Sequence, residues 1–282
     1  MSEILRVEHL KKYFNTPYGT LHAVDDVNFA INEGETLGVV GESGCGKSTL
    51  GRTVLKLIDN TDGSIYFQGR DITNVSKKEK RELRRDMQIV FQDPFSSLNP
   101  RFCIAELIAD PLKTFGGMKK REIEQRVFEL MDLVGLSRRY AYSYPHELDG
   151  GRRQRIGIAR ALALNPKFIV CDEPVSALDV SIQAQILNLL QDLQEQRGLT
   201  YIFVTHDLSV VKHISTDILV MYVGVMVEKS PAKELFERPL HPYTKGLLSA
   251  IPIPNIHHKA ERVQLKGELV SPIDPQEECR FA

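Results

Sequence analysis

Residues 41–49 read Gly41-Glu42-Ser43-Gly44-Cys45-Gly46-Lys47-Ser48-Thr49. This stretch matches the phosphate-binding pattern Gly-x-x-x-x-Gly-Lys-Ser. An apolar run typical of a β-strand, Thr36–Val40, leads into it, and a helix-compatible run, Ser48–Ile58, leads out of it. A strand, a glycine-rich loop and a helix in this order place backbone N–H groups and a helix N-terminus around a phosphate chain.

Two side chains of this loop suit a nucleoside triphosphate. Lys47 places a positive charge near the outer phosphates, and the Ser48 hydroxyl is a ligand for Mg²⁺. The alternative is a glycine-rich turn before an ordinary helix, which the flanking strand and helix disfavour. The sequence therefore predicts a domain that binds a nucleoside triphosphate together with Mg²⁺.

The composition restricts the class of protein. The chain has 282 residues, of which 42% are hydrophobic and 26% are charged, so it can bury a sizeable core. Its net charge of −1 argues against nucleic acid as the main partner, because neutralising phosphates usually needs a basic surplus. No apolar run approaches the roughly 18 residues of a membrane-spanning helix, and the N-terminus lacks a signal peptide. We expect a cytoplasmic protein, either soluble or held at a membrane by other subunits.

The four cysteines are far apart in the sequence, at Cys45, Cys103, Cys171 and Cys279. No pair has the Cys-x-x-Cys spacing, so neither a zinc site nor a disulfide framework is indicated. Cys45 inside the loop and Cys171 in an apolar run are expected to be reduced thiols.

The pattern along the chain predicts an α/β fold with a mainly parallel core sheet, since strands alternate with crossover helices. Short runs before the loop predict an N-terminal antiparallel β subdomain. We expect the core to comprise residues 1–94 and 151–228. Residues 95–150 have helical patterns broken by proline and predict a helical insertion, and the proline-rich residues 229–282 predict a short C-terminal extension.

A second motif ends another apolar run. Residues 168–173 read Phe-Ile-Val-Cys-Asp-Glu, so two carboxylates follow a predicted buried strand. Asp172 is suited to hold the Mg²⁺ that Ser48 also contacts, and Glu173 is suited to polarise an attacking water. The alternative is an acidic strand end without function, which the upstream phosphate loop disfavours.

Further motifs complete an ordered set. Gln92 ends a predicted strand between the phosphate loop and the helical region. A Gly-Gly motif precedes the two carboxylates and two short motifs follow them: Leu148-Asp149-Gly150-Gly151-Arg152, Ser176-Ala177-Leu178-Asp179 and Thr205-His206-Asp207. In this order, and over essentially all its residues, the chain resembles the ATP-binding subunit of an ABC transporter. The resemblance implies an ABC-type nucleotide-binding domain of the P-loop NTPase class, with ATPase activity.

The resemblance assigns roles to residues around the nucleotide. Phe14, or its neighbour Tyr13, would stack on adenine. Gln92 would sense the metal and the γ-phosphate and couple to a membrane subunit through the helical insertion. Glu173 would be the general base, and His206 would contact the γ-phosphate.

The resemblance also implies a dimer in which two such domains sandwich two ATP molecules head to tail. Each site would pair the phosphate loop of one subunit with the Gly-Gly helix of the other. Ser176 and Asp179 would lie at this interface. The implied cofactors are ATP and Mg²⁺, with Ser48, Gln92 and Asp172 as metal ligands.

The end of the chain is similar to that of oligopeptide, dipeptide and nickel importers. The similarity is carried by residues 238–252, which begin Arg-Pro-Leu-His-Pro-Tyr-Thr-Lys, and by Ser271–Pro275 with Cys279. It implies two transmembrane permease subunits, an external solute-binding protein and a place on the cytoplasmic side of the membrane, with no nucleic acid. Relatives often add cysteines that bind an iron–sulfur cluster, but here Cys279 stands alone, and we expect no cluster in this chain.

One motif departs from the family pattern. The family has Leu-Ser-Gly-Gly-Gln where this chain has Asp149 and Arg152 at the second and fifth positions. An ionised Asp149 cannot donate a hydrogen bond to the partner's γ-phosphate and repels it, yet Asp is also a good N-cap for the helix that starts here. Arg152 opposes the helix dipole, which hints at a charge pair with Asp149.

This departure predicts a heterodimer with a paralogous ATP-binding subunit and two unequal ATP sites. The predicted function is the ATPase of an importer, with peptides as the cargo that the tail favours. The alternative is a non-transport ABC ATPase that acts in DNA repair, translation or cofactor assembly.

Overall fold

The computed structural model describes residues 2–251, 271–276 and 279–281. The chain forms two compact units. The first spans Met1–Ser76 and Ile202–Ala282, and the second spans Lys77–Tyr201. No helix in the described part of the chain combines the length and apolar character needed to cross a membrane.

The elements are numbered along the chain. The first half contains β1 (Glu3–Thr16), β2 (Gly19–Asn32), β3 (Thr36–Val40), α1 (Lys47–Val54), β4 (Asp62–Phe67), β5 (Arg70–Asp71), α2 (Lys77–Asp86), β6 (Met87–Val90), α3 (Pro94–Ser97), α4 (Ile104–Phe115) and α5 (Lys120–Leu133). The second half contains α6 (Gly150–Leu162), β7 (Phe168–Asp172), α7 (Val180–Arg197), β8 (Thr200–Val204), α8 (Leu208–Ile214), β9 (Asp217–Tyr222), β10 (Val225–Pro231), α9 (Ala232–Glu237) and α10 (Pro242–Ser249).

The first unit contains an antiparallel sheet with strand order β2-β1-β4-β5, as predicted for the N-terminal part. β1 and β2 are longer than their apolar runs, and their outer ends pair Tyr13 with His22 and Phe14 with Leu21. The backbone hydrogen bonds between the two strands continue past the last buried residues, so the hairpin is longer than the alternating apolar pattern indicates.

The same unit contains parallel strands of the core sheet. β3 is buried along its whole length and pairs in parallel with β9, while β8 lies on its other side. β10 then pairs antiparallel with β9. Strands covered on both faces read as continuous apolar runs, which explains the Leu-Gly-Val-Val sequence that leads into the phosphate loop.

The second unit combines two parallel strands with packed helices. β6 pairs with β7 in a register that joins Met87 to Phe168 and Val90 to Cys171. Helices α4, α5 and α6 pack on one another, and α4 and α5 lie within the residues of the predicted insertion. The predicted mainly parallel α/β fold is therefore confirmed, and the predicted domain boundaries stay a prediction.

Candidate active site

The phosphate loop lies in the first unit between β3 and α1. Gly41 has φ 150° and Gly46 has φ 103°. A Cβ on Gly41 would lie 2.2 Å from the carbonyl oxygen of Met221, and one on Gly46 would lie 2.0 Å from that of Ala23. Both positions therefore need glycine for space as well as for conformation, because only glycine lets the backbone approach this closely.

Lys47, the first residue of α1, is buried and points into the loop. Its Nζ donates hydrogen bonds to the carbonyl oxygens of Gly41 at 2.8 Å and Glu42 at 2.7 Å. Residues 42–44 at the crest of the loop are exposed. The loop thus presents an accessible ring of backbone around a buried ammonium group, which is an arrangement suited to polyphosphate.

Cys45 lies inside the loop as a neutral thiol. Burial raises the pKa of the Cys45 thiol, although Lys47 nearby acts in the opposite direction. The backbone carbonyl of Cys45 accepts a hydrogen bond from the N–H of Gly224, in the turn between β9 and β10. Cys45 therefore helps to tie the loop to this hairpin and is not activated as a nucleophile.

The two candidate adenine platforms lie on β1 and differ in their surroundings. The Tyr13 ring stacks on His22 with centroids 3.8 Å apart, and its hydroxyl donates to Asp25. Burial and this carboxylate raise the pKa of Tyr13. Phe14 is 37% exposed, with Lys12 Nζ 4.7 Å from its ring centroid. The accessible ring of Phe14 favours it over Tyr13 as the stacking residue.

His206 follows β8 and is exposed. The preceding residue, Thr205, donates its N–H to the carbonyl oxygen of Val39 at 3.1 Å. The ends of β8 and β3 are therefore adjacent within the first unit. The carboxyl ends of parallel strands form the edge at which ligands of α/β sheets bind. His206 therefore lies at the same edge as the start of the phosphate loop.

The second unit brings together two of the predicted catalytic residues. Gln92 follows β6 and Glu173 follows β7, and Gln92 Nε2 donates a hydrogen bond to Glu173 Oε2 at 2.8 Å. Glu173 has φ 46°, a left-handed conformation that costs a non-glycine residue free energy and is frequent at functional sites. Asp172, the last residue of β7, is buried. Parallel pairing of the two strands explains why residues 81 positions apart in sequence meet here.

The predicted Mg²⁺ ligands are chemically appropriate. The described residues contain no cluster of three or more His, Cys, Asp or Glu side chains suited to a metal. Mg²⁺ in nucleotide sites needs no such cluster, because one or two protein oxygens act together with the phosphates and water. Asp172 and Gln92 in the second unit supply a carboxylate and an amide oxygen, and Ser48 in the first unit supplies a hydroxyl, so each residue by itself offers an oxygen of the kind that Mg²⁺ binds.

The variant Gly-Gly motif has a clear local structure. Asp149 is the N-cap of α6, and its Oδ1 accepts a hydrogen bond from the N–H of Arg152 at 2.8 Å. Its other oxygen pairs with the Arg152 guanidinium, which also lies 5.2 Å from the Tyr140 ring centroid. The carboxylate therefore caps the helix and neutralises the adjacent cation at the same time.

The remaining motif residues lie around the start of α6 and just before α7. A Cβ on Gly151 would lie 2.5 Å from Cγ2 of Ile182, so a small residue is needed where α6 meets α7. Leu148 is buried, while Ser176 and Asp179 are exposed. Both side chains are accessible to solvent, and their place at a dimer interface stays a prediction.

One contact to the loop is not predicted by the sequence patterns. The hydroxyl of Tyr243, in α10, accepts a hydrogen bond from the N–H of Glu42 at 3.1 Å. The two residues are 201 positions apart, and no local motif signals their contact.

Comparison with known families gives two matches along the chain. Residues 24–176 match the model of the ABC transporter family. Residues 227–282 match the model described as the oligopeptide/dipeptide transporter, C-terminal region.

Similar proteins and structures agree with these matches. The oligopeptide transport ATP-binding protein OppF of Bacillus subtilis is 56% identical over 94% of this chain and 87% of its own length. OppF of Salmonella typhimurium is 53% identical over 96% and 82%, respectively. The ATP-binding cassette MJ0796, solved as a dimer bound to ADP and Pi, has a TM-score of 0.74 and 31% identity, covering 81% of this chain and 99% of that one. CbiO1 of Clostridium perfringens, part of the transporter complex cbiONQ, has a TM-score of 0.75 and 30% identity, covering 84% and 92%. The chain therefore belongs to the ABC transporter family, is one of its ATPases, and carries the C-terminal region of the oligopeptide/dipeptide branch.

Proposed function

We propose that this chain is the ATP-hydrolysing subunit of an importer for oligopeptides or dipeptides. The observation that carries the proposal is the match of residues 227–282 to the C-terminal region of that branch. The names of the Bacillus and Salmonella relatives support the same class of cargo. No comparable observation favours a non-transport ABC ATPase of DNA repair, translation or cofactor assembly.

In this proposal the chain works at the cytoplasmic face of the membrane. Its partners are a paralogous ATP-binding subunit, two transmembrane permeases and an external solute-binding protein. Cells that lack the chain are expected to lose ATP-dependent uptake of a labelled oligopeptide, and a tagged chain to co-purify with two multi-spanning subunits. Unchanged peptide uptake together with lost nickel uptake would instead identify a metal importer.

We assign the nucleotide-binding roles to residues of β1, the phosphate loop and the ends of β6 and β7. Phe14 stacks on adenine, and Lys47 with the loop amides binds the phosphates. Ser48, Gln92 and Asp172 would hold Mg²⁺, which when bound neutralises charge on the phosphate oxygens. The buried ammonium of Lys47 and the narrow turns at the loop glycines support these roles.

Glu173 is proposed to accept a proton from the attacking water. The hydrogen bond from Gln92 Nε2 orients the Glu173 carboxylate, and a ligand bound to Gln92 would change that orientation. His206 is proposed to donate a hydrogen bond to the γ-phosphate. Gln92 is thereby suited to couple hydrolysis to the state of the nucleotide.

The ion pair between Asp149 and Arg152 supports two ATP sites that differ in the rate of turnover and not in whether they hold ATP. An unpaired Asp149 would repel a phosphate by up to about 4 kcal/mol at 4 Å and an effective dielectric of about 20. Arg152 makes the pair neutral, which removes most of this repulsion. The hydroxyl donor of the family serine is still missing, so the partner's ATP is expected to turn over slowly rather than be expelled.

We expect Asp149→Ser to raise turnover at the site of the partner's ATP about two- to tenfold, the value of one neutral hydrogen bond. Arg152→Gln alone is expected to lower it, because Asp149 then carries an uncompensated charge. The measurement is steady-state ATPase activity of the heterodimer whose other site is inactivated.

Asp132→Ser is a matched control for this experiment. The Asp132 side chain is 51% exposed and paired with Arg138, and the Asp149 side chain is 55% exposed and paired with Arg152. Equal activity of Asp149→Ser and wild type would contradict the proposed asymmetry.

A further inference from the structure

We propose that Tyr243 is a positioning residue for the phosphate loop, and that through it the C-terminal extension sets the affinity of the loop for ATP. The inference rests on the proposed role of residues 41–49 in binding the phosphates. The direct observation is the hydrogen bond from the N–H of Glu42 to the Tyr243 hydroxyl, at 3.1 Å.

This hydrogen bond holds one side of the peptide unit that begins the loop. The N–H of Glu42 and the C=O of Gly41 belong to the same planar unit. On the opposite side, the Gly41 carbonyl accepts a hydrogen bond from Lys47 Nζ at 2.8 Å. Because both polar groups of the unit are engaged, its rotation is restricted. The Gly41 carbonyl oxygen is therefore kept pointing at the Lys47 ammonium group, and the hydrogen bond between them orients that group.

Tyr243 has little freedom to move away from the loop. Its side chain is completely buried, and its ring centroid lies 4.6 Å from that of Tyr222. Burial raises the pKa of Tyr243, so its hydroxyl is neutral at physiological pH and accepts the hydrogen bond as an uncharged group. Removing the hydroxyl would take this hydrogen-bond partner from the Glu42 N–H at a part-buried contact.

The helix that carries Tyr243 is anchored to the core sheet. The carboxylate of Glu228, in β10, accepts hydrogen bonds from the N–H groups of Leu240 at 2.8 Å and His241 at 3.0 Å. His241 Nδ1 in turn accepts from the N–H of Tyr243 at 3.2 Å and caps α10. The position of the Tyr243 hydroxyl is thus fixed relative to β10.

A second stretch of the extension contacts the strand pair that carries Phe14. Arg280 donates hydrogen bonds to the backbone carbonyl of Val223 and to the carboxylate of Asp25. Asp25 also accepts from the Tyr13 hydroxyl, on the strand next to it. The extension therefore supports both the phosphate loop and the strands beside the proposed adenine platform.

The test compares Tyr243→Phe with wild type in the full-length chain. The variant removes one oxygen and keeps the ring, and it is expected to weaken Mg-ATP binding about three- to tenfold, the value of one neutral hydrogen bond. In the assembled transporter we expect KM for ATP to rise by a similar factor and kcat to change little. The amide signal of Glu42 in a proton–nitrogen NMR spectrum is expected to shift.

Tyr201→Phe is the matched control. Tyr201 is also completely buried, and its hydroxyl donates to the carbonyl oxygen of Leu190 at 3.1 Å. Like Tyr243→Phe, the variant Tyr201→Phe is expected to lower the melting temperature of the chain. Unlike Tyr243→Phe, it is expected to leave the affinity for ATP unchanged. If Tyr243→Phe does not fold, Glu228→Gln, which weakens the anchor of α10, tests the same coupling and is expected to weaken ATP binding.

The outcomes separate this inference from the proposed function. ATP affinity of Tyr243→Phe within twofold of wild type would overturn the inference, and so would an equal loss in Tyr201→Phe. Normal ATP binding by Lys47→Ala would instead overturn the proposed role of the loop itself.

Discussion

Replacing Glu173 with glutamine is expected to lower ATP turnover of the assembled transporter about a hundredfold or more, while Mg-ATP binding persists. A positioned general base contributes typically about 10²- to 10⁴-fold, and an amide cannot take the proton of the attacking water. The substitution preserves the size of the side chain, and an amide oxygen can still accept the hydrogen bond that Gln92 donates. Single-turnover hydrolysis and equilibrium nucleotide binding, measured on the same preparation, separate the two effects.

Glu129→Gln is a suitable control for this experiment. Glu129 also accepts a hydrogen bond from a glutamine amide, Gln125 Nε2 at 3.1 Å, but it is an exposed residue of α5. The same chemical change there is expected to leave turnover unchanged. Turnover of Glu173→Gln within a few-fold of wild type would mean that another group activates the water. If activity instead disappears only when the partner's glutamate is changed, the two sites have been assigned in reverse.

Replacing Lys47 with alanine is expected to weaken Mg-ATP binding by about a hundredfold and to abolish ATP-dependent import. Hydrogen bonds from a charged donor contribute about 1.5–3 kcal/mol each, and the ammonium would make them to the outer phosphates. The loop also loses the group that joins the carbonyl oxygens of Gly41 and Glu42. Calorimetric titration with Mg-ATP, and peptide uptake in the same strain, measure the two losses.

The chain offers a matched buried lysine for comparison. Lys56 lies in the same unit, with its Nζ donating to Asn60 Oδ1 at 2.7 Å and to the carbonyl oxygen of Thr73 at 2.8 Å. Lys56→Ala is expected to lower thermal stability without a comparable loss of ATP affinity. Equal losses of affinity in the two variants would show that Lys47 acts on the fold and not on the nucleotide.

The sequence marks the candidate residues of this site wherever they are close together along the chain. A strand, a glycine loop and a helix are consecutive in the chain, so Gly41 to Thr49 are recognisable without any tertiary information. The Asp172-Glu173 pair is likewise marked by the apolar strand that precedes it. Asp149 and Arg152 form the charge pair that is expected from a cation placed against the helix dipole.

The sequence is uninformative where distant segments meet. The contact between Tyr243 and Glu42 depends on the path of β9, β10 and α10, and no periodicity encodes it. The hairpin of β9 and β10 itself was not predicted, although the apolar run Ile218–Val223 followed by Gly224 is a usable signal. Residues 252–270, which contain part of the importer-like tail pattern, lie outside the described residues.

The division into two units has a consequence for synthesis on the ribosome. The first unit is completed only by Ile202–Ala282, and all of Lys77–Tyr201 is translated in between. At about 5–20 residues per second this interval is on the order of ten seconds. Throughout it the apolar strand β3 lacks its later neighbours β8 and β9, while the contiguous second unit emerges in one piece. Nascent chains of this length therefore present an unpaired hydrophobic strand to chaperones before the nucleotide pocket exists.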